Sequence, residues 1–170
     1  MNLAQAAGPR QKLAALLLVL GMAATVGGAL AFQHIGGYIP CKLCYEQRMP
    51  YYVGAPLMLL ALLAALARLP GIVTRILLLA GAALMAYGLY LGVFHSGVEW
   101  GWWPGPTDCG MVVAPPDTGG NGVLDSLNSV IPPSCDEAAL RILGLSLAGW
   151  NAIASLGLGL VALWGAFAKA

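Results

Sequence analysis

Four long apolar stretches, separated by polar breaks, dominate the chain. They run from about Leu13 to Phe32, Pro50 to Ala67, Ile76 to Phe94 and Leu147 to Ala168, and none contains Asp, Glu, Lys or Arg. Each is close to the roughly 20 residues that cross about 30 Å of hydrocarbon as a helix. Helices are expected because they satisfy every backbone polar group within the segment. The alternating ten-residue strands of an outer-membrane barrel are absent. The pattern predicts an all-α membrane protein: a four-transmembrane-helix bundle forming one domain over residues 1–170.

Composition agrees. Of the 170 residues 59% are hydrophobic and 9% charged, and the mean hydropathy is +0.80. Soluble domains carry about 25% charged residues, so a soluble or disordered chain is excluded. Eight basic residues against seven acidic give a net charge of +1 with no basic block, which excludes a nucleic-acid binder.

Charge position predicts orientation. Arg10, Lys12, Arg68, Arg75 and Lys169 fall on one side of the four spans, which the positive-inside rule makes cytoplasmic, with both termini. All seven acidic residues fall on the other side, with only Lys42, Arg48 and Arg141 as cations. The first stretch is longer than the 7–15 apolar residues of a signal-peptide core, so a retained span is expected over a cleaved one. Glycines such as Gly88 and Gly92, a GxxxG in the third span, are read as close helix packing.

The two outer loops cover about 33–49 and 95–146. The longer one contains Trp100, Trp102 and Trp103, which suit the membrane interface. A Pro- and Gly-rich run follows, and then a short helix at 123–131. Its apolar residues recur at helical spacing, which suits either the membrane surface or packing on the bundle.

All four cysteines fall in these loops. Cys41-Lys42-Leu43-Cys44 is a CxxC just before the second span. Free N–H groups at a helix start favour a thiolate, and Lys42 and Arg48 add positive charge, so Cys44 is expected to be the better thiolate. Structural zinc would need a second ligand pair at ribbon spacing, and Cys109 and Cys135 are too far apart for one; no metal site is expected. Covalent haem would need a histidine where Tyr45 stands. Redox chemistry fits two close thiols in a cationic, exposed setting. Cys109 and Cys135 suit either a structural disulfide or an exchangeable one, and a mobile loop favours exchange. His34 and His95 lie at outer span ends, where interfacial hydrogen bonding or axial haem ligation are the alternatives.

Phe32-Gln33-His34, Pro40-Cys41-x-Leu43-Cys44 and Arg48, with Leu143-Gly144-Leu145 and Trp150 at the fourth span, resemble the disulfide bond formation protein B (DsbB) family. These are bacterial inner-membrane proteins that reoxidise the periplasmic thiol oxidase DsbA and reduce quinone. That route is known to keep the bacterial periplasm oxidising. The resemblance implies a thiol:quinone oxidoreductase using ubiquinone or menaquinone, with a DsbA-like oxidase, the quinone pool and the bilayer as partners. It implies that Cys41 and Cys44 are the quinone-side pair, with Cys44 at the quinone. Cys109 and Cys135 would exchange with the partner, Cys109 forming the mixed disulfide. Arg48 and, by a looser correspondence, His95 would support quinone binding. Gln47 departs from the pattern, since an acid is expected beside the arginine. The alternatives are a haem or quinone electron-transfer protein, a non-catalytic tetraspan scaffold with structural disulfides, and the vitamin K epoxide reductase type. The last carries its CxxC near the end of a later helix.

Overall fold

The computed structural model describes residues 5–107, 109 and 134–167. Within these, four long helices form the protein: α1 Pro9–His34, α2 Lys42–Leu66, α3 Gly71–Glu99 and α4 Leu147–Ala166. All four are long and apolar enough to cross a membrane. The short helix expected at 123–131 lies outside the described residues.

Local chemistry sets the helix starts. In α1, Pro9 has no N–H to satisfy, and the Gln11 side chain accepts from the Gly8 N–H at 3.2 Å. In α4, Ser146 Oγ accepts from Gly149 N–H at 3.2 Å. In α2, the cap is Cys41, whose sulfur accepts from Cys44 N–H at 3.4 Å. The apolar run suggested a span starting near Pro50. The helix instead starts eight residues earlier and continues through Pro50 and Pro56. Proline is tolerated inside membrane helices because neighbouring groups re-satisfy the freed backbone. The earlier start brings Cys44, Gln47 and Arg48 onto a rigid helix.

The helices close into a ring. α1 packs on α2 and α4, α3 packs on the same two, and α1 and α3 lie diagonally with little contact. The α3–α4 seam is close because glycine lines it. A Cβ on Gly92 would lie 2.9 Å from the Ala152 backbone nitrogen, and one on Gly88 would lie 2.9 Å from Ser155 Oγ. The GxxxG is thus a packing surface, as its spacing predicted. Ala14, Leu18, Met22, Met58, Leu78 and Met85 fill the interior, while Leu20, Leu60, Ile76 and Leu160 point outward. Apolar side chains on both faces of the helices fit a bundle surrounded by lipid.

A two-residue hairpin precedes α4. β1 Arg141–Ile142 pairs antiparallel with β2 Leu145–Ser146. Its turn residues Leu143 and Gly144 both have positive φ, 52° and 84°. That is the twist a tight hairpin demands, and it is unusual for leucine. Trp150 Nε1 donates to the Ile142 carbonyl at 3.0 Å, fixing the hairpin to α4.

Candidate active site at the cysteine end of the bundle

The second cluster of buried residues contains all the sulfur chemistry. Cys41, Leu43, Val98 and Cys135 form its centre, with Cys44, Phe94 and Cys109 against it. Cys109 and Cys135 form a disulfide with Cα atoms 5.9 Å apart, and Cys41 and Cys44 are free thiols. The two pairs meet: Cys41 Sγ, Cys135 Sγ and a His95 ring nitrogen all lie within 4.8 Å of one another. The four cysteines expected to act together are therefore brought to one place.

The two thiols of the CxxC have different surroundings. Their sulfurs are 2.9 Å apart. Cys41 is 4% exposed and faces His95 and the loop disulfide. The Cys44 thiol bonds to its sulfur, which holds the Cys41 thiol well below its ordinary value. Burial opposes this, while His95 and the Cys44 N–H assist it. The benefit of the helix start thus falls on Cys41, where sequence reasoning placed it on Cys44. The reason is geometric: Cys41 is the cap, and the free N–H of Cys44 points back at it.

Cys44 faces the other way, into a cavity of about 340 Å³ between α1, α2 and α4. Arg48, one turn on, also lines it. Its guanidinium donates to Gln33 Oε1 at 2.6 Å and to the Ala29 carbonyl at 3.5 Å, and lies 5.3 Å from the centre of the Tyr45 ring. Phe32, Tyr51 and Asn151 complete a wall that is largely apolar.

His95 is placed differently from the expectation. It is buried at 3% exposure and does not line the cavity. Its Nε2 lies 3.8 Å from Cys41 Sγ and 3.9 Å from Glu99 Oε1, and Gln47 Nε2 lies 2.6 Å from its Nδ1. Gln47, which itself lines the cavity, bonds its ring from that side, and His95 stands with the thiol pair. Glu99 was read only as an outer charge. Its side chain is 5% exposed, and its Oε2 has no hydrogen-bond partner. The signal for it was the i, i+4 spacing from His95. His34 makes no close approach to His95 among the described contacts, and the haem reading gains nothing from the geometry.

Gln47 proves to be a junction. It bonds His95 on α3 and accepts from Asn151 Nδ2 on α4 at 2.7 Å; Asn151 Oδ1 in turn accepts from the Tyr51 hydroxyl at 2.7 Å. Asn151 thus ties α4 to α2. Gln47 itself had been noticed only as a departure from a motif.

A membrane bundle with two cysteine pairs meeting at one end defines a class of membrane thiol–disulfide protein. The sequence model of disulfide bond formation protein DsbB matches residues 11–165, nearly the whole chain, and the chain belongs to that family. It is an oxidoreductase of membrane disulfide-bond formation. No curated protein and no solved structure matches it.

Proposed function

We propose that the protein reoxidises a periplasmic dithiol oxidase of the thioredoxin-like, DsbA type and passes the electrons to a membrane quinone. The observation that carries this reading is the division of the CxxC: Cys41 faces the loop disulfide, and Cys44 faces the cavity with Arg48. The cavity suits a quinone head group. Its volume falls within the few hundred cubic ångströms of small-ligand sites, and its walls are apolar with few polar groups. Arg48 and Gln33 would hold the head group, with Cys44 beside it. Ubiquinone and menaquinone both meet these requirements.

The chain's residues then act in order. A partner thiolate opens the Cys109–Cys135 disulfide through a mixed disulfide at Cys109. The partner's second thiol displaces Cys109, leaving an oxidised partner and two thiols in the loop. Cys135 thiolate attacks Cys41 of the oxidised CxxC, and Cys44 leaves as a thiolate. Cys109 then attacks Cys135, restores the loop disulfide and releases Cys41. Free thiols at Cys41 and Cys44 beside an intact loop disulfide correspond to this stage. Closure of Cys41–Cys44 releases two electrons and two protons, and a bound quinone supplies the acceptor for both. Arg48 offers its charge to an oxygen becoming negative.

An acceptor of this kind is required energetically. A DsbA-type disulfide stands near −120 mV, about 150 mV above a thioredoxin-like pair. For two electrons this is about 7 kcal/mol uphill. The test is quinone reduction by the purified protein with a reduced dithiol oxidase as donor, followed by quinone absorbance. Turnover in the parent and a loss of at least a hundredfold in Cys44→Ala are expected. No turnover in the parent, with several quinones and a competent donor, would refute the reading.

A further inference from the structure

Two backbone carbonyls decide which nitrogen of His95 carries its proton. Gln47 Nε2 donates to the Leu43 carbonyl at 3.3 Å, and Asn151 Nδ2 donates to the Gly88 carbonyl at 3.4 Å. A carbonyl only accepts, so each carboxamide must present its NH2 group there. The remaining bonds agree. Asn151 Nδ2 also donates to Gln47 Oε1, and the Tyr51 hydroxyl donates to Asn151 Oδ1 while lying 2.7 Å from Ser155 Oγ. Turning either amide over would set oxygen against oxygen at Leu43 or Gly88.

With Gln47 so fixed, its second N–H points at His95 Nδ1, 2.6 Å away. Nδ1 must accept, so the ring proton sits on Nε2. Protonating Nδ1 would bring two donors face to face. The Nε2–H then faces Cys41 Sγ and Glu99 Oε1. We propose that Gln47 is a positioning residue: it holds His95 as the neutral Nε2–H tautomer and so keeps a hydrogen-bond donor beside the Cys41 sulfur.

The consequence lies in thiol exchange. Cys41 is the leaving sulfur when Cys109 restores the loop disulfide, and a stabilised thiolate leaves faster. A donor at Nε2 stabilises that thiolate, whereas an unprotonated Nε2 would repel it. The titratable groups facing Cys41 and His95 are Cys44 from α2, Glu99 from α3 and Cys135, bonded to Cys109, from the loop. Lys42 adjoins Cys41 in the chain, and α4 brings the neutral Asn151 and Ser155 to this network. The same orientation argues against a metal on Cys41, His95 and Cys135, since Nε2 holds a proton and Cys135 is in a disulfide.

The inference rests on the proposed function only for its kinetic consequence. The test is nitrogen NMR of the full chain labelled at the histidine rings. There are only two histidines, and His34→Gln assigns the other set of signals. For the parent, the neutral ring of His95 is expected as the Nε2–H tautomer. In Gln47→Glu the carboxylate can only accept, and the proton moves to Nδ1. Gln47→Met removes the bond and gives a mixture of tautomers. Stopped-flow exchange between the loop cysteines and Cys41 should slow about tenfold in Gln47→Met. An Nδ1–H tautomer in the parent, or an unmoved proton in Gln47→Glu, would overturn the assignment even if Gln47→Met fails to fold. A displaced proton with unchanged exchange would overturn the role. Absent exchange in the parent, with the tautomer as stated, would count against the proposed function and leave the tautomer assignment supported.

Discussion

Cys41 and Cys44 are one helical turn apart and occupy two different environments. Cys41 caps α2 and sits in a packed cluster with His95, Val98 and Cys135. Cys44 lies inside the helix and opens onto a largely apolar cavity with Arg48. Three residues along a helix turn the side chain through most of a revolution but not all of it. Two sulfurs at that spacing stay within bonding distance of each other while addressing different neighbours. A CxxC at a helix start can therefore couple two separate reactions, one on each side.

That contrast can be broken in several ways. The largest effect concerns acidity. Between pH 8 and pH 6 an ordinary thiol of pKa about 8.5 loses roughly 75-fold in thiolate and in alkylation rate. Cys41, with its thiol held down to about 4 by the bond from Cys44, should stay within about twofold in the protein with an intact loop disulfide. Iodoacetamide labelling quantified on the peptide containing Cys41 reads this directly. A 75-fold loss would show that the cap geometry gives Cys41 no advantage.

A smaller effect is expected on the cavity side. Arg48→Ala removes a charged donor and should raise the apparent quinone KM about tenfold or more. Exchange between the loop cysteines and Cys41 should fall by less than the quinone KM rises, because Arg48 bears on it only through the Cys44 leaving thiolate. Steady-state quinone titration beside single-turnover exchange separates the two. Equal losses in both would erase the distinction between the sides.

The smallest effect is structural. Gly92→Val places side-chain carbon against the Ala152 backbone on α4, which cannot withdraw without moving the helix. A destabilisation of about 1–3 kcal/mol is expected, read from detergent or denaturant unfolding. The quinone KM should shift as well, since α4 carries Asn151 into the cavity wall. Unchanged stability would mean that the α3–α4 seam is looser than described.

The legibility of these features follows their range in sequence. The four helices were legible because lipid imposes a uniform demand on every outward side chain. The α2 start was misjudged because Pro50 ends the polar stretch but does not end the helix. Cys44 and Arg48 share a helix turn because α2 begins at Lys42, ahead of the apolar run. The partners of Gln47 were not legible: His95 lies 48 residues away and Asn151 lies 104, and no local pattern joins a glutamine to either. His95 was assigned to quinone binding by a loose correspondence with the family, which locates it along the chain but leaves open the side of α2 it meets. Glu99 was read only as one of the outer-side acids because sequence does not reveal that its side chain is buried beside His95.

The most direct measurement maps disulfides in two variants side by side. In Cys44→Ala, Cys41 thiolate is expected to attack Cys135 of the loop disulfide, giving Cys41–Cys135 and a free Cys109. In Cys41→Ala, Cys44 faces the cavity and should leave Cys109–Cys135 intact. Acid quenching, alkylation and peptide mass spectrometry distinguish these forms. A Cys44–Cys135 disulfide forming in Cys41→Ala as readily as Cys41–Cys135 forms in Cys44→Ala would contradict the division of labour between the two sulfurs.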